Sequence, residues 1–282
     1  MAAQVQRGRI KITLDGYRDM KVVSTLHDLT QKVGANNKAF PSLPAFKQAS
    51  GSRLYADSGK VFIDLAFTSL ANLLGHNIAN IHQAICNVPG NIPPLNTRLD
   101  SHPLIEKIYQ QLHKLLPKNH HVSFFCNHEA QAMDTALKLA YLYWEKQANP
   151  DKNKFIAFAH SHHGYSLGVS SLNASNIDYQ NLAPLAPECE LIPYPNTWLG
   201  DANIEHKEQL AYQRLAQYLE ENHHNCCALV LEPLVQSRNG LQICRPSFIE
   251  SVCMLVQSYD ILVIADERFT GLYRCGKFLA TE

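Results

Sequence analysis

Four short runs put groups capable of chemistry where an apolar stretch gives way to a loop. Asp266 follows Ile261-Leu-Val-Ile-Ala265, so its carboxylate stands at the carboxyl end of a predicted strand, where open α/β sheets gather ligand-handling groups. Cys126-Asn127-His128-Glu129-Ala130 lies between an apolar run and a helical pattern. Free backbone N–H groups at a helix start, with the dipole behind them, can cradle a phosphate. Glu129 suits that dipole but repels a phosphate dianion, and an Asn127-capped helix with an acidic first turn accounts for the same residues. His162-His163-Gly164 follows the predicted strand Phe155–Ala159. It offers rings able to stack and a glycine free to make the turn, or reads as plain loop. Glu232-Pro233 ends the predicted strand Ala228–Leu231 at the same sheet edge.

A metal is not expected. His160 and His162 would share a face with no third ligand suggested by spacing, and the adjacent Cys226 and Cys227 would point to opposite faces of a strand.

The elements that must position these groups follow from apolar periodicity and turn residues. Leu54–Leu65 reads as a hairpin about the turn Asp57-Ser-Gly-Lys60, with Gly59 as the turn residue. Pro41-Ser-Leu-Pro44 marks a loop before it, and Val88-Pro-Gly-Asn-Ile-Pro-Pro94 breaks the chain after it. Apolar spacing predicts helices from Ile78 to about Cys86 and from near His102 to Leu116, the second stopped by Pro117. The period then alternates: strand Val122–Cys126, helix from about Ala130 to Lys146, strand Phe155–Ala159, short strand Glu190–Ile192. Helix Lys207–Leu219, strand Ala228–Leu231, helix Ser247–Ser258 and strand Ile261–Ala265 complete it. Such βα alternation predicts an α/β architecture, a mostly parallel sheet with helices on both faces.

Several ordered motifs carry a family resemblance from about Leu54 to Glu282. Asp266-Glu267 with Thr270, Gly271, Arg274, Gly276, Lys277, Ala280 and Glu282 resembles the cofactor strand of class III pyridoxal-phosphate (PLP) aminotransferases. Leu231-Glu-Pro-Leu-Val-Gln236, followed by Gly240 and Pro246, and the Tyr143-Trp144 helix end are most similar to the diaminopelargonic acid branch of that family, which serves biotin synthesis. The resemblance implies a fold-type-I PLP-transferase large domain over residues 66–282, with its C-terminal part absent. Residues 1–65, with the hairpin, would belong to the small domain; residues 1–40 hold no motif.

The resemblance also implies pyridoxal 5'-phosphate as cofactor. Asp266 would face the pyridine nitrogen and keep it protonated, so that the ring acts as an electron sink. His128, Glu129 and Ala130 stand where the family has Ser-Gly-Thr around the phosphate. In His162-His163-Gly164, His162 replaces the tyrosine that stacks on the ring. Glu232 matches an active-site glutamate, and Arg268 stands where the family has a small apolar residue under the ring. The activity implied is amino transfer between a small amine and a ketone substrate, such as 8-amino-7-oxononanoate with S-adenosylmethionine as donor. Transamination needs a lysine to hold the cofactor and shuttle a proton. No lysine here matches it, since Lys277 corresponds to a different family lysine. Either a fragment of a longer enzyme or a chain that ends here would lack that lysine; the altered motifs together favour a degenerate homologue, a pseudoenzyme that retains the family's homodimer or pairs with an intact paralogue.

Composition excludes other classes. With 25 Lys+Arg against 25 Asp+Glu no basic excess draws nucleic acid, and no stretch approaches the ~20 apolar residues of a membrane span. The eight cysteines form no CxxC pair and read as reduced thiols of a cytoplasmic protein.

Overall fold

In a computed structural model, the described residues are 2–6, 9–13, 45–65, 72–88, 90, 101–118, 120–122, 124–173, 180–238 and 240–282. The expected loop at Pro41–Pro44 and most of the break at Val88–Pro94 lie outside them. The backbone divides into two compact units, Met1–Thr68 with Leu74–Val88, and Ser69–Leu73 with Pro89–Glu282.

In the first unit, strands β1 (Ala2–Gln6) and β2 (Arg9–Thr13) pair antiparallel. Strands β3 (Phe46–Ser50), β4 (Arg53–Ala56) and β5 (Val61–Ile63) form a three-stranded antiparallel sheet. The β4–β5 pair is the expected hairpin, with Leu54 opposite Phe62 and Gly59 at φ +82° in its turn, a conformation glycine adopts without steric cost. The strand β3 went unforeseen because its sequence, Phe-Lys-Gln-Ala-Ser, alternates too weakly to signal. Helix α1 (Ala79–Cys86) follows as expected.

The second unit carries helix α2 (Pro103–Leu115), helix α3 (Glu129–Lys146), β6 (Lys154–Phe158), β7 (Cys189–Ile192), helix α4 (Ile204–Asn222) and β8 (Cys226–Leu231). A two-residue pair, β9 (Val235–Gln236) with β10 (Gln242–Ile243), precedes helix α5 (Pro246–Ser258) and β11 (Leu262–Ala265). The sheet runs β11-β8-β6-β7, with every adjacent pair parallel. All four strands therefore end at one edge, and Ala159, Glu232 and Asp266 follow β6, β8 and β11 there.

The strands alternate between two cores, as a sheet covered on both faces requires. Ile156, Phe158, Leu229 and Leu231 face α4 and α5 through Leu215, Leu219, Val252 and Val256. Phe155, Ala157, Ala228 and Val230 face α3 through Met133, Leu137, Ala140 and Trp144. Burying side chains of this size stabilises by roughly 1.5–3 kcal/mol each, which fixes the sheet and hence the loops at its edge. Trp144 adds a directional tie, its Nε1 donating to the Cys227 carbonyl at 2.9 Å.

One expected strand does not form among the described residues. The described residues of Val122–Cys126 pair with no strand; Phe124 and Phe125 are half exposed, and the Phe125 ring packs on Tyr109 at 4.8 Å. An apolar alternating run becomes a strand only where a neighbour offers a ladder, and none of the described residues does.

Candidate functional site

Loops from three strands and the start of α3 meet at the carboxyl edge of the sheet. The loop after β6 turns through His160 at φ +67° and Gly164 at φ +113°. Gly164 passes so close to α3 that a Cβ there would lie 3.2 Å from both Cα and Cβ of Ala130. Ala130, expected at a phosphate cradle, is buried beneath this turn. Asn173 holds the turn from the other side: its Oδ1 accepts from the His163 N–H at 2.9 Å and its Nδ2 donates to the Gly164 carbonyl at 2.9 Å.

Asp266 meets His163 and also lines a pocket beside α3. His163 Nδ1 lies 3.0 Å from Asp266 Oδ2 with both side chains buried, and Asp266 Oδ1 accepts from the Arg268 N–H at 3.2 Å. Burial would raise the Asp266 pKa, but the His163 hydrogen bond and the charges of His163 and Arg268 outweigh it and hold the carboxyl below its ordinary value. An ionised carboxylate makes Nδ1 the protonated ring nitrogen. His163 Nε2 is buried without a hydrogen-bond partner.

His162 is also buried. Its ring meets Tyr165 edge-on at 4.8 Å, and its pKa is pushed down to about 4 by burial and then by the nearby charges of Arg238 and Arg268, so it is neutral at neutral pH. Glu232 is consumed by backbone: Oε2 accepts from the His162 N–H at 3.0 Å and Oε1 from the Ser237 N–H at 2.9 Å. Burial raises its pKa despite these bonds. It ties the loop after β6 to the loop after β8, as does Gln236, whose Nε2 donates to the Ala159 carbonyl at 3.1 Å.

At α3 the cap is His128, not Asn127. His128 Nδ1 accepts from the Ala130 N–H at 3.1 Å, and the Asn127 N–H donates to Gln131 Oε1. Arg268 crosses from β11: Nη1 lies 2.9 Å from Glu129 Oε1 and Nη2 donates to the His162 carbonyl at 2.7 Å. Below it the Phe269 ring centroid is 4.4 Å from the guanidinium carbon. A pocket of about 370 Å³ opens beside the pair, between Glu129, Met133 and Ala136 of α3 and Ile264, Asp266 and Arg268.

The structure thus brings all nine expected residues to one edge, His128, Glu129, Ala130, His162, His163, Gly164, Glu232, Asp266 and Arg268. Asn173 and Ser237 were missed, because loop polar residues give no signal until a turn folds onto them, and Gln236, read only as part of a motif, gave no sign of its bond to the Ala159 carbonyl. Among the described residues no group of three His, Cys, Asp or Glu could hold a metal ion, and no helix is long and apolar enough to cross a membrane.

These residues do not fit a phosphorylated pyridine placed as the resemblance implies. One N–H of the α3 start is taken by His128, the first turn carries the Glu129 carboxylate, and an engaged guanidinium lies where an apolar floor is expected.

A parallel sheet between helices, with its polar loops at one edge, defines an α/β protein of the transaminase fold. An amine transaminase from an uncultivated Pseudomonas species, in a PLP-bound form, matches 95% of this chain at TM-score 0.75 and 20% identity, over 59% of its own length. The adenosylmethionine-8-amino-7-oxononanoate aminotransferase of Methanocaldococcus jannaschii matches 84% at TM-score 0.71 and 21% identity, over 52% of its length. Residues 34–282 match the model of the Aminotransferase class-III family, and the chain belongs to that family. Its relatives include the adenosylmethionine-8-amino-7-oxononanoate aminotransferases of Synechococcus elongatus, 32% identical over 82% of this chain, and Staphylococcus aureus, 28% identical over 83%. The chain spans about half the length of these relatives, 54% and 53%.

Proposed function

We propose that this class III protein is a non-catalytic homologue, retaining an aminotransferase sheet and loops whose own side chains hold the ground a cofactor would need. The observation that carries this reading is Arg268, pinned between the Glu129 carboxylate and the His162 carbonyl in front of Asp266. The ancestral activity is amino transfer to a small carbonyl compound, with 8-amino-7-oxononanoate the substrate suggested by the names of its relatives. Pyridoxal 5'-phosphate would supply the electron sink for that chemistry, but its phosphate would meet the Glu129 carboxylate and its ring the guanidinium.

In this reading the site residues have structural duties. Asp266 orients His163, Glu232 joins two loops, and Gly164 lets the β6 loop approach α3. The protein then acts through its surface, in a dimer with itself or with an intact paralogue in the cytoplasm, and the hairpin of residues 1–65 belongs to a small domain. The test is an assay of amino transfer from S-adenosylmethionine to 8-amino-7-oxononanoate with PLP added. No product above the enzyme-free control is expected; sustained turnover would overturn the reading.

A further inference from the structure

We infer that Arg268 and Glu129 form an internal electrostatic plug. The carboxylate of Glu129, rather than any loss of the fold, bars an anionic aromatic ligand from the pocket beside Asp266. This deepens the non-catalytic reading, on which it rests, by naming what closes the site.

The charge arrangement supports it. Arg268 is a single guanidinium between two carboxylates, paired with Glu129 through Nη1 and tethered by its backbone N–H to Asp266 Oδ1. Among the described residues that line the pocket, the carboxylates of Glu129, Asp266 and Glu267 outnumber the Arg268 guanidinium, which is already engaged. A phosphate arriving at the α3 start would be repelled by Glu129 and could not recruit Arg268 without breaking that pair. The arginine is also held in place mechanically, by the His162 carbonyl and the Phe269 ring. Its Nε is buried with no hydrogen-bond partner, an unmet donor that an incoming acceptor could satisfy.

Which half of the pair excludes the ligand follows from this arithmetic. Neutralising Glu129 frees the guanidinium to meet an anion. Removing Arg268 instead leaves the carboxylates of Glu129, Asp266 and Glu267 lining the pocket with no guanidinium among them, which repels an anion more strongly. Opening space alone is insufficient.

The experiment is equilibrium dialysis of the purified full chain and its variants with pyridoxamine 5'-phosphate, which has no aldehyde to react with surface lysines. Glu129→Gln should bind at least tenfold more tightly than the unaltered protein, a gain on the order of one charge contact in a half-exposed site. Arg268→Met should gain nothing, and the double variant should lose the gain of Glu129→Gln. Thermal melting accompanies each. Glu129 is partly exposed on the first turn of α3, so its substitution spares the core, and Glu129→Ser repeats the test with a different side chain. The plug is refuted if folded Glu129→Gln and Glu129→Ser show no gain, or if Arg268→Met alone gains as much. Those results leave the non-catalytic reading standing. That reading fails separately, if the unaltered protein forms a covalent lysine adduct with PLP.

Discussion

Nδ1 of His163 lies 3.0 Å from Oδ2 of Asp266, and no solvent reaches the histidine ring. The pair links the loop after β6 to the end of β11, two elements 103 residues apart in sequence. The same aspartate, which the family resemblance assigns to a cofactor ring, also lines the pocket beside α3.

Asp266→Ala leaves the buried Nδ1–H without an acceptor, and we expect a loss of roughly 1–3 kcal/mol in denaturant unfolding. Asp266→Asn keeps an acceptor oxygen and should cost clearly less. Equal effects of the two substitutions would show that the pair contributes only packing.

Acidification should weaken the fold. The folded-state pKa of His162 is depressed to about 4, so the stability it contributes is present above its unfolded value near 6.5 and lost as pH falls toward 4. The lowered pKa of Asp266 acts in the same direction, its contribution vanishing as pH falls through its folded value. Glu232, with a raised pKa, opposes both, because its ionised form is the one burial penalises. Urea titrations at several pH values between 7 and 4 should show a net decline, of which His162 supplies roughly 3 kcal/mol at most. His162→Phe should flatten the profile; an unchanged slope would refute this assignment.

The approach of Gly164 to Ala130 predicts that Gly164→Ala destabilises by roughly 1–3 kcal/mol, since it adds positive-φ strain to a tight contact. Asn173→Ala should match or exceed that, because it strands two buried backbone groups. Both are read from the midpoint of chemical unfolding, and a neutral outcome for Asn173→Ala would mean the turn holds without its clamp.

Far from the site, Lys152 is buried with its Nζ donating to the Asp260 carbonyl at 2.5 Å and lying 4.0 Å over the Trp144 ring. Burial lowers its pKa, yet the contacts keep the cation useful as a tie beyond the end of α5. Lys152→Met should cost about 2 kcal/mol through the lost carbonyl bond and ring contact. Thermal unfolding that is unchanged in this variant would contradict that account.

Much of the fold was legible because the residues that make the sheet are pure examples of their pattern. Cys226–Leu231 is apolar at all six positions and buried at all six, as a central parallel strand should be. Val122–Cys126 showed how that reading fails: a strand exists by virtue of its neighbour, and sequence lists no neighbours. The site was legible as an address, since strand ends converge wherever a parallel sheet forms. Its partners were not. Nothing local tells that Glu232 would spend both oxygens on backbone N–H groups, or that His128 rather than Asn127 would cap α3. These contacts depend on loops that meet only after folding.

The most direct test of the central claim is absorbance of the purified protein over the near-ultraviolet and visible range during titration with PLP. Borohydride reduction and mass analysis of every lysine follow. The account predicts a spectrum equal to the sum of protein and free PLP, with no single lysine selectively modified. A new visible band with one lysine reduced in full stoichiometry would contradict it and restore the protein to the working aminotransferases.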